Sequence, residues 1–266
     1  EAVDVEIKRV EREGFAAIVM CREGWFWMIP LDEHTTSIGL VMDEPLARCV
    51  PVPAADRLRW GIEHCPLMKE RMAEAQGPTR NRVVADFSYS CEPYAGPGYF
   101  LAGDAAAFID PVWSTGVSLG LEGGLHAAKS LGSILDGTTS AAAAIKAHQA
   151  WVRRYRGIFL DLIERFYDHS FRELIVAGKG PMEMQRGLVT LLAGEVFAPL
   201  PWSVRWRWDA FRLCTRFNRH RPLNERIRSH SMLLSGGVPL PTPDAGVIGA
   251  WHRKAMRRSP RAWQST

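Results

Sequence analysis

At 266 residues, 47% of them hydrophobic and 23% charged, the chain has the make-up of one large globular domain or two modest ones, which excludes disorder over most of its length. Lys and Arg number 33 against 29 Asp and Glu, a net charge of +4, and this near balance, spread along the sequence, provides no basic stripe for a nucleic acid. The five cysteines Cys21, Cys49, Cys65, Cys91 and Cys214 form no CxxC pair, which points to reduced thiols in a cytoplasmic protein rather than to a disulfide framework.

The chain opens EAVDVEIKRV, in which Val3, Val5 and Ile7 alternate with charged residues as in a half-buried strand, with no secretory leader ahead of them. Apolar stretches at 3–10, 15–20, 25–31 and 35–42 are separated by short polar links that twice end in Gly; this spacing predicts an antiparallel meander. After VPVPA at 50–54, Leu58, Ile62, Cys65 and Met72 share one face of a helix over 55–75, which Pro66 interrupts and Gly77-Pro78 ends. Strand patterns return at 82–89 (RVVADFSY) and 98–102 (GYFLA) and lead into GDAAAFIDPVWSTG at 103–116. Beyond it, Leu119, Leu121, Leu125, Ala128, Leu131, Ile134 and Leu135 predict a helix that stops at Asp136-Gly137. Gly120, Gly123 and Gly124 each weaken that helix by about 1 kcal/mol relative to alanine, a cost that the close approach of a backbone or a ligand explains. A long amphipathic pattern over 139–177, with Val152, Tyr155, Phe159, Leu162 and Phe166 inward and Thr138, Thr139 and Ser140 as caps, predicts a second helix closed by Gly178, Gly180 and Pro181. A further helix is expected at 203–218, followed by an extended tail over the last thirty residues or so. No apolar run reaches the roughly 18–20 residues that span a bilayer; the best, at 187–200, is short and carries Glu195.

The 103–116 segment is where chemistry is expected. Gly103-Asp104 at the end of a strand presents a carboxylate that can accept hydrogen bonds from ribose or a sugar-alcohol chain. Ala105, Ala106 and Ala107 leave room for a ligand, and Pro111 fixes the loop before Ser114, Thr115 and Gly116 open the next helix, whose free N–H groups and positive dipole end favour an electron-rich or anionic group. The same residues also suit plain structure: an Asp-Pro turn, a Ser/Thr cap and a core helix. Elsewhere the eight histidines show no metal-ligand spacing, so no metal is assigned, and His126 reads as a packed or surface residue. Ser114 lacks the G-x-S-x-G elbow of a hydrolase. The stretch 201–221 interleaves Trp, Phe and Arg, either as a core-facing helix with solvated arginines or as a basic face for an acidic carrier protein or a membrane surface.

Taken in order, GWFWMIPL at 24–31, TTSIGLV at 35–41 and DFSYSCEPYAGPGYFLAGDAAAFIDPVWSTGVSLG at 86–120 resemble the carboxyl-terminal half of flavin-dependent halogenases, the tryptophan-halogenase-like members of the para-hydroxybenzoate-hydroxylase-like flavin monooxygenases. The resemblance covers about residues 1–135 well and the helical remainder in general character. It implies an α/β fold, α+β in this fragment, with the end of an antiparallel substrate-side sheet at 1–54, a connecting helix at 55–80, the flavin-contacting part of the FAD-binding domain at 81–137 and a helical carboxyl-terminal region at 138–266. Gly103 and Asp104 are similar to the family's ribityl-binding turn, and the stretch from Pro111 through Gly116 to Val117 looks like the loop that passes the isoalloxazine ring. Ser114, Thr115 and Gly116 resemble the place where halogenases hold chloride or bromide, through the backbone N–H groups of Thr115 and Gly116. Trp25, Trp27, Ile29 and Pro30 match the W-x-W-x-I-P motif that, with Trp113, separates flavin from substrate.

Two departures qualify that resemblance. Trp113 stands where tryptophan halogenases have a glutamate and where phenol and pyrrole halogenases have a bulky apolar residue, which implies an electron-rich ring activated by its own hydroxyl or nitrogen and a narrowed halide pocket. Neither a GxGxxG fingerprint nor the family's catalytic lysine occurs in these residues; the family places both earlier, so the chain is expected to be the latter half of a longer enzyme of secondary metabolism and inactive alone. The resemblance implies reduced FAD supplied by a flavin reductase, a halide, and an aromatic substrate that can be tethered to a carrier protein. It leaves open a flavin monooxygenase that hydroxylates directly, an isoprenoid-chain reductase, and a non-catalytic binding half.

Overall fold

The computed structural model describes residues 15–32, 34–75, 82–176, 184–193, 195–197, 201–221 and 230–239. The chain divides into two compact units, one of Glu1–Val84 with Glu225–Val247 and one of Ala85–Asn224 with Ile248–Thr266. Antiparallel sheet comes first and helices follow, as the α/β reading of the sequence requires.

In the first unit β1 (Ala17–Met20), β2 (Gly24–Pro30) and β3 (Thr36–Met42) form an antiparallel sheet in the order β1-β2-β3. The register, with Val19 opposite Phe26 and Trp27 opposite Gly39, puts alternate residues on opposite faces. One face sends Val19, Cys21 and Phe26 into a core shared with Trp60, Leu67, Met68, Met232 and Leu233. The other carries Trp25 and Trp27, ring centroids 6.0 Å apart. Trp27 lies flat across Gly39, where a Cβ would fall 1.9 Å from its ring, and its indole N–H donates to Ser37 Oγ at 3.3 Å.

Beyond the short helix α1 (Glu44–Ala47), α2 (Arg57–His64) and α3 (Pro66–Arg71) cover the sheet's core face. The single helix expected over 55–75 is therefore two. Cys65 takes an extended conformation and Pro66 opens α3 at its first turn, the position where a missing N–H costs nothing. Cys21 and Cys65 bring their sulfurs to 3.7 Å, and every described cysteine is a free thiol. Buried Glu23 accepts hydrogen bonds from Ser231 Oγ and from Met232 N at 3.0 Å, which ties the β1–β2 link to the short helix Met232–Ser235. The strand expected at 3–10 and the turn at Gly77-Pro78 lie outside the described residues.

In the second unit the sheet shrinks to two-residue ladders: β4 (Tyr89–Ser90) pairs with β7 (Ala107–Phe108), and β5 (Ala95–Gly96) pairs with β6 (Tyr99–Phe100). The strands expected at 82–89 and 98–102 are thus mostly unpaired. Their apolar pattern is real, but Val84 stays 70% exposed, and no neighbouring strand among the described residues takes up the backbone of 82–88.

Helices α4 (Gly116–Leu135), α5 (Ala141–Phe166), α6 (His169–Val176), α7 (Met184–Leu192) and α8 (Trp202–His220) follow. In α5 the residues Ala144, His148, Val152, Tyr155, Phe159, Leu162 and Phe166 recur every three or four positions and are all buried, and Ser140 Oγ caps its first turn by accepting from Ala143 N at 3.3 Å. The helix expected to run to 177 breaks at Tyr167 and Asp168, because the Asp168 carboxylate accepts from Ser170 N at 3.0 Å and starts α6 afresh. Asn218 of α8 locks onto α6 through Ser170 O at 3.1 Å and Glu173 at 2.7 Å. The closing signals Gly178, Gly180 and Pro181 lie outside the described residues, as do most of the expected tail and the end of the 187–200 run. Among the described residues no helix is long and apolar enough to cross a membrane, and no group of three or more His, Cys, Asp or Glu is placed to hold a metal ion.

Candidate functional site

The 103–116 segment is built by short, local bonds. Tyr94 O accepts from Leu101 N at 2.8 Å, and Gly103 O accepts from Ala106 N at 2.9 Å, which closes a tight turn at Gly103–Ala105. Gly103 has φ +55, and a Cβ on it would stand 3.1 Å from the Cα of Gly120 in α4; backbone meets backbone there. This close approach and the positive φ account for the glycine at 103, whereas a Cβ on Gly120 or Gly123 would make ordinary contacts, 3.8 Å from the Cα of Gly103 and 3.5 Å from the Cβ of Ala102. Gly124 has open space around it among the described residues, so neither a backbone nor a side chain of theirs explains that glycine. Asp104 emerges from the turn with its residue exposed, while its carbonyl accepts from Tyr89 OH at 2.9 Å. Burial and the nearby Asp104 charge push the Tyr89 hydroxyl above its ordinary range.

The chain then passes through β7 to Asp110, a buried carboxylate and the aspartate of the Asp-Pro turn expected from the sequence. It accepts from Val112 N at 2.9 Å and from Tyr167 OH at 2.8 Å, which fixes the single 3₁₀ turn Pro111–Trp113. Burial pushes its carboxyl up to about 6 against the opposing pull of those hydrogen bonds. The signal was present in the sequence, since Asp before Pro is an Asx-turn pattern; the tyrosine, 57 residues away, was not.

Ser114 takes the left-handed conformation, φ 51, and turns the backbone so that Thr115 becomes the residue before α4. Among the described residues no side-chain hydrogen bond caps that helix, so its first N–H groups and its positive dipole end are available to an acceptor. Trp113 sets its ring edge-on to Phe166, centroids 5.4 Å apart, and its buried indole N–H meets no acceptor among the described residues. Chemically, one continuous stretch offers a carboxylate acceptor at Asp104 and donors at the foot of α4. The structure thereby brings Gly103, Asp104, Pro111, Trp113, Ser114, Thr115, Gly116 and Val117 into one turn-loop-helix. Trp25, Trp27, Ile29 and Pro30 belong to the first unit, where the three odd-numbered positions share one face of β2.

This order of sheet, turn and glycine-bearing helix has known counterparts. The family model of the tryptophan halogenases matches residues 1–174. The chain belongs to the tryptophan halogenase family. This halogenase-family chain is 35% identical over 173 residues to the tryptophan 2-halogenase of Chondromyces crocatus, covering 63% of its own length and 33% of that protein's. It is 33% identical over 144 residues to the 1H-pyrrole-2-carbonyl-[peptidyl-carrier protein] brominase of Pseudoalteromonas luteoviolacea, covering 54% and 35%. Among solved structures the flavin-dependent brominase Bmp2 superposes with a TM-score of 0.65 at 27% identity, over 76% of this chain and 51% of that one. The chain spans about a third of the length of these curated relatives.

Proposed function

We propose that this chain is the flavin- and halide-facing part of a longer FADH2-dependent halogenase that acts on an electron-rich aromatic of the phenol or pyrrole type. The observation that carries the reading is the pairing, in one stretch, of the exposed Asp104 carboxylate with the uncapped start of α4. These residues fit a flavin and a halide: the turn at Gly103 has a positive φ and leaves a Cβ only 3.1 Å from Gly120, Asp104 can take hydrogen bonds from ribityl hydroxyls, and the buried Trp113 indole N–H has no acceptor among the described residues. Bound reduced FAD would supply the activation of oxygen that turns halide into an electrophile.

This chain's own residues have simpler tasks. The N–H groups of Thr115 and Gly116, beside Ser114, hold chloride or bromide in the field of α4. Asp110 and Tyr167 keep the intervening turn in place. Trp25 and Trp27, with Ile29 and Pro30, wall off the substrate side and exclude water from the halogenating species. Trp113, standing where a carboxylate would assist an indole, leaves activation to the substrate's own hydroxyl or ring nitrogen.

The rest of the enzyme supplies what these residues lack. The apolar face of α4, with Val117 at 74%, Leu121 at 72% and Leu135 at 77% exposure, suits a dinucleotide-binding segment laid across it. A flavin reductase is the source of FADH2. A carrier-bound substrate suits the side of α8 that carries Arg205, which is exposed, and Arg212, 3.6 Å from Asp209, while Arg207 lies about 200° round the helix and packs its Cβ against Gly187 of α7; changing Arg205 and Arg212 to Glu should abolish measurable affinity for an acidic carrier protein, and unchanged affinity removes that partner. The deciding experiment uses the full-length protein from its own cell, with FAD, a flavin reductase, oxygen and a panel of phenols and pyrroles. A product carrying chlorine or bromine only when that halide is present supports the reading. Hydroxylation that ignores halide makes the protein a monooxygenase instead.

A further inference from the structure

His126 of α4 and His148 of α5 meet behind the Gly103–Asp104 turn. His148 is 0% exposed, its Nε2 lies 2.8 Å from the carbonyl oxygen of Leu101, and its Nδ1 lies 3.1 Å from Nδ1 of His126. A carbonyl only accepts, so Nε2 of His148 carries a hydrogen and, in the neutral ring, Nδ1 is bare. The second contact then requires the hydrogen on Nδ1 of His126, which leaves Nε2 of His126 as its bare nitrogen. Both rings are clamped in plane. Trp151 stacks on His126 at 5.2 Å and on His148 at 6.5 Å, and Phe100 stands edge-on to His148 at 5.2 Å.

Three ties therefore converge on one turn. The Leu101 carbonyl, two residues before Gly103, is bonded to α5; Gly103 is pressed on Gly120 of α4; and the histidine pair joins α4 to α5. We propose that the His126–His148 relay is the positioning device of the turn that presents Asp104, with both tautomers fixed by the Leu101 carbonyl; its service to flavin binding rests on the function proposed above. The relay takes up one added proton, on Nε2 of His126, with the central bond intact, whereas a second sets N–H against N–H and parts the two helices. The groups facing His126 act in the same direction: burial first, then His148 of α5 and Lys129 of its own helix, hold its imidazolium below the usual histidine range.

The test begins with the 266-residue chain and long-range ¹H–¹⁵N spectra of its imidazoles at neutral pH. His148 is expected as the Nε2–H tautomer and His126 as the Nδ1–H tautomer; the reverse assignment for either ring overturns the relay. His148→Phe keeps an aromatic ring but loses both bonds, and amide exchange at Leu101, Ala106 and Cys91 should then accelerate at least tenfold, while α6 and α8 exchange as before. His148→Gln keeps a donor for the Leu101 carbonyl and should restore most of that protection. Exchange at those amides that is unchanged in His148→Phe rejects the positioning role. Should His148→Phe fail to fold, His126→Phe, which preserves stacking on Trp151 at a less buried position, must speed the same amides. In the full-length protein, FAD fluorescence quenching should show at least tenfold weaker binding for His148→Phe and a change within threefold for His148→Gln. A full-length protein that binds no FAD ends the flavin reading and the service assigned to Asp104, with the tautomer and exchange results still deciding the relay itself.

Discussion

Helices α4 and α5 are neighbours in sequence and opposites in design. α5 buries a full stripe from Ala144 to Phe166, whereas α4 buries only Gly123 and Ser130 and turns Val117, Leu121, Leu125, Leu131 and Leu135 outward. One helix has found its partners within the described residues and the other shows what it is made to meet. α4 uses its glycines for backbone contact on one side and its large apolar residues on the other, the pattern of an element lying between two layers. Covering each of those side chains is worth about 1 kcal/mol or more, so the outward stripe is a substantial reserve of unspent binding free energy.

The comparison breaks most sharply under truncation. Phe159→Ala in α5 should cost about 3–5 kcal/mol, while Leu121→Ala in α4 should change the stability of this chain by less than about 0.5 kcal/mol; urea unfolding of both variants settles it, and equal losses would mean that α4 is already covered. In the full-length enzyme Leu121→Ala should become costly too.

A second effect concerns the foot of α4, where Asp110 is bonded to Tyr167 just beyond the end of α5. Its carboxyl is raised from 3.8 to about 6 in the folded chain, so between those values the folded state holds a proton that the unfolded state has lost. Asp110 therefore lets stability fall as pH rises from about 4 through 6, by on the order of 3 kcal/mol, with no further change above. His126, held low, contributes with the opposite sign: its share is present at neutral pH and declines as pH drops below about 6.5, where the unfolded imidazole gains its proton. Subtracting the pH profile of Asp110→Asn from that of the native chain isolates the carboxylate, and two superimposable profiles would refute its buried charge.

Smaller changes sharpen the contrast within α4 itself. Gly103→Ala forces a side chain into a positive φ and against Gly120, and should cost about 2 kcal/mol. Gly124→Ala enters open space and should stabilise the chain by about 1 kcal/mol through helix propensity alone. Thermal unfolding of the two variants should move in opposite directions.

Much of this was legible in the residues. Alternation in 15–42 yields the three paired strands, Ser140 and Asp136-Gly137 mark helix ends, and the GDAAAFIDPVWSTG stretch forms the continuous turn-loop-helix that its motif implies. What the sequence hid is tertiary. The run RVVADFS has the period of a strand, but a strand needs a partner, and none stands beside it among the described residues. The break at Asp168 depends on a carboxylate choosing Ser170 N over the solvent. Asp110 gains its role from a tyrosine 57 positions on, and His126 from a histidine 22 positions on; no local spacing announces either.

The bond between Glu23 and the segment Ser231–Leu233 has a consequence in time. Its partners lie 208 to 210 positions apart, and the first unit is assembled from two stretches that the whole of Ala85–Asn224 separates. During synthesis the sheet emerges early, yet the buried carboxylate has no donors until Ser231 and Met232 have left the ribosome, some ten seconds or more later at about 5–20 residues per second. The helices of Ala85–Asn224 are all made before that carboxylate meets its donors, and a nascent chain halted near residue 221 would carry them together with a sheet still waiting for its last helix.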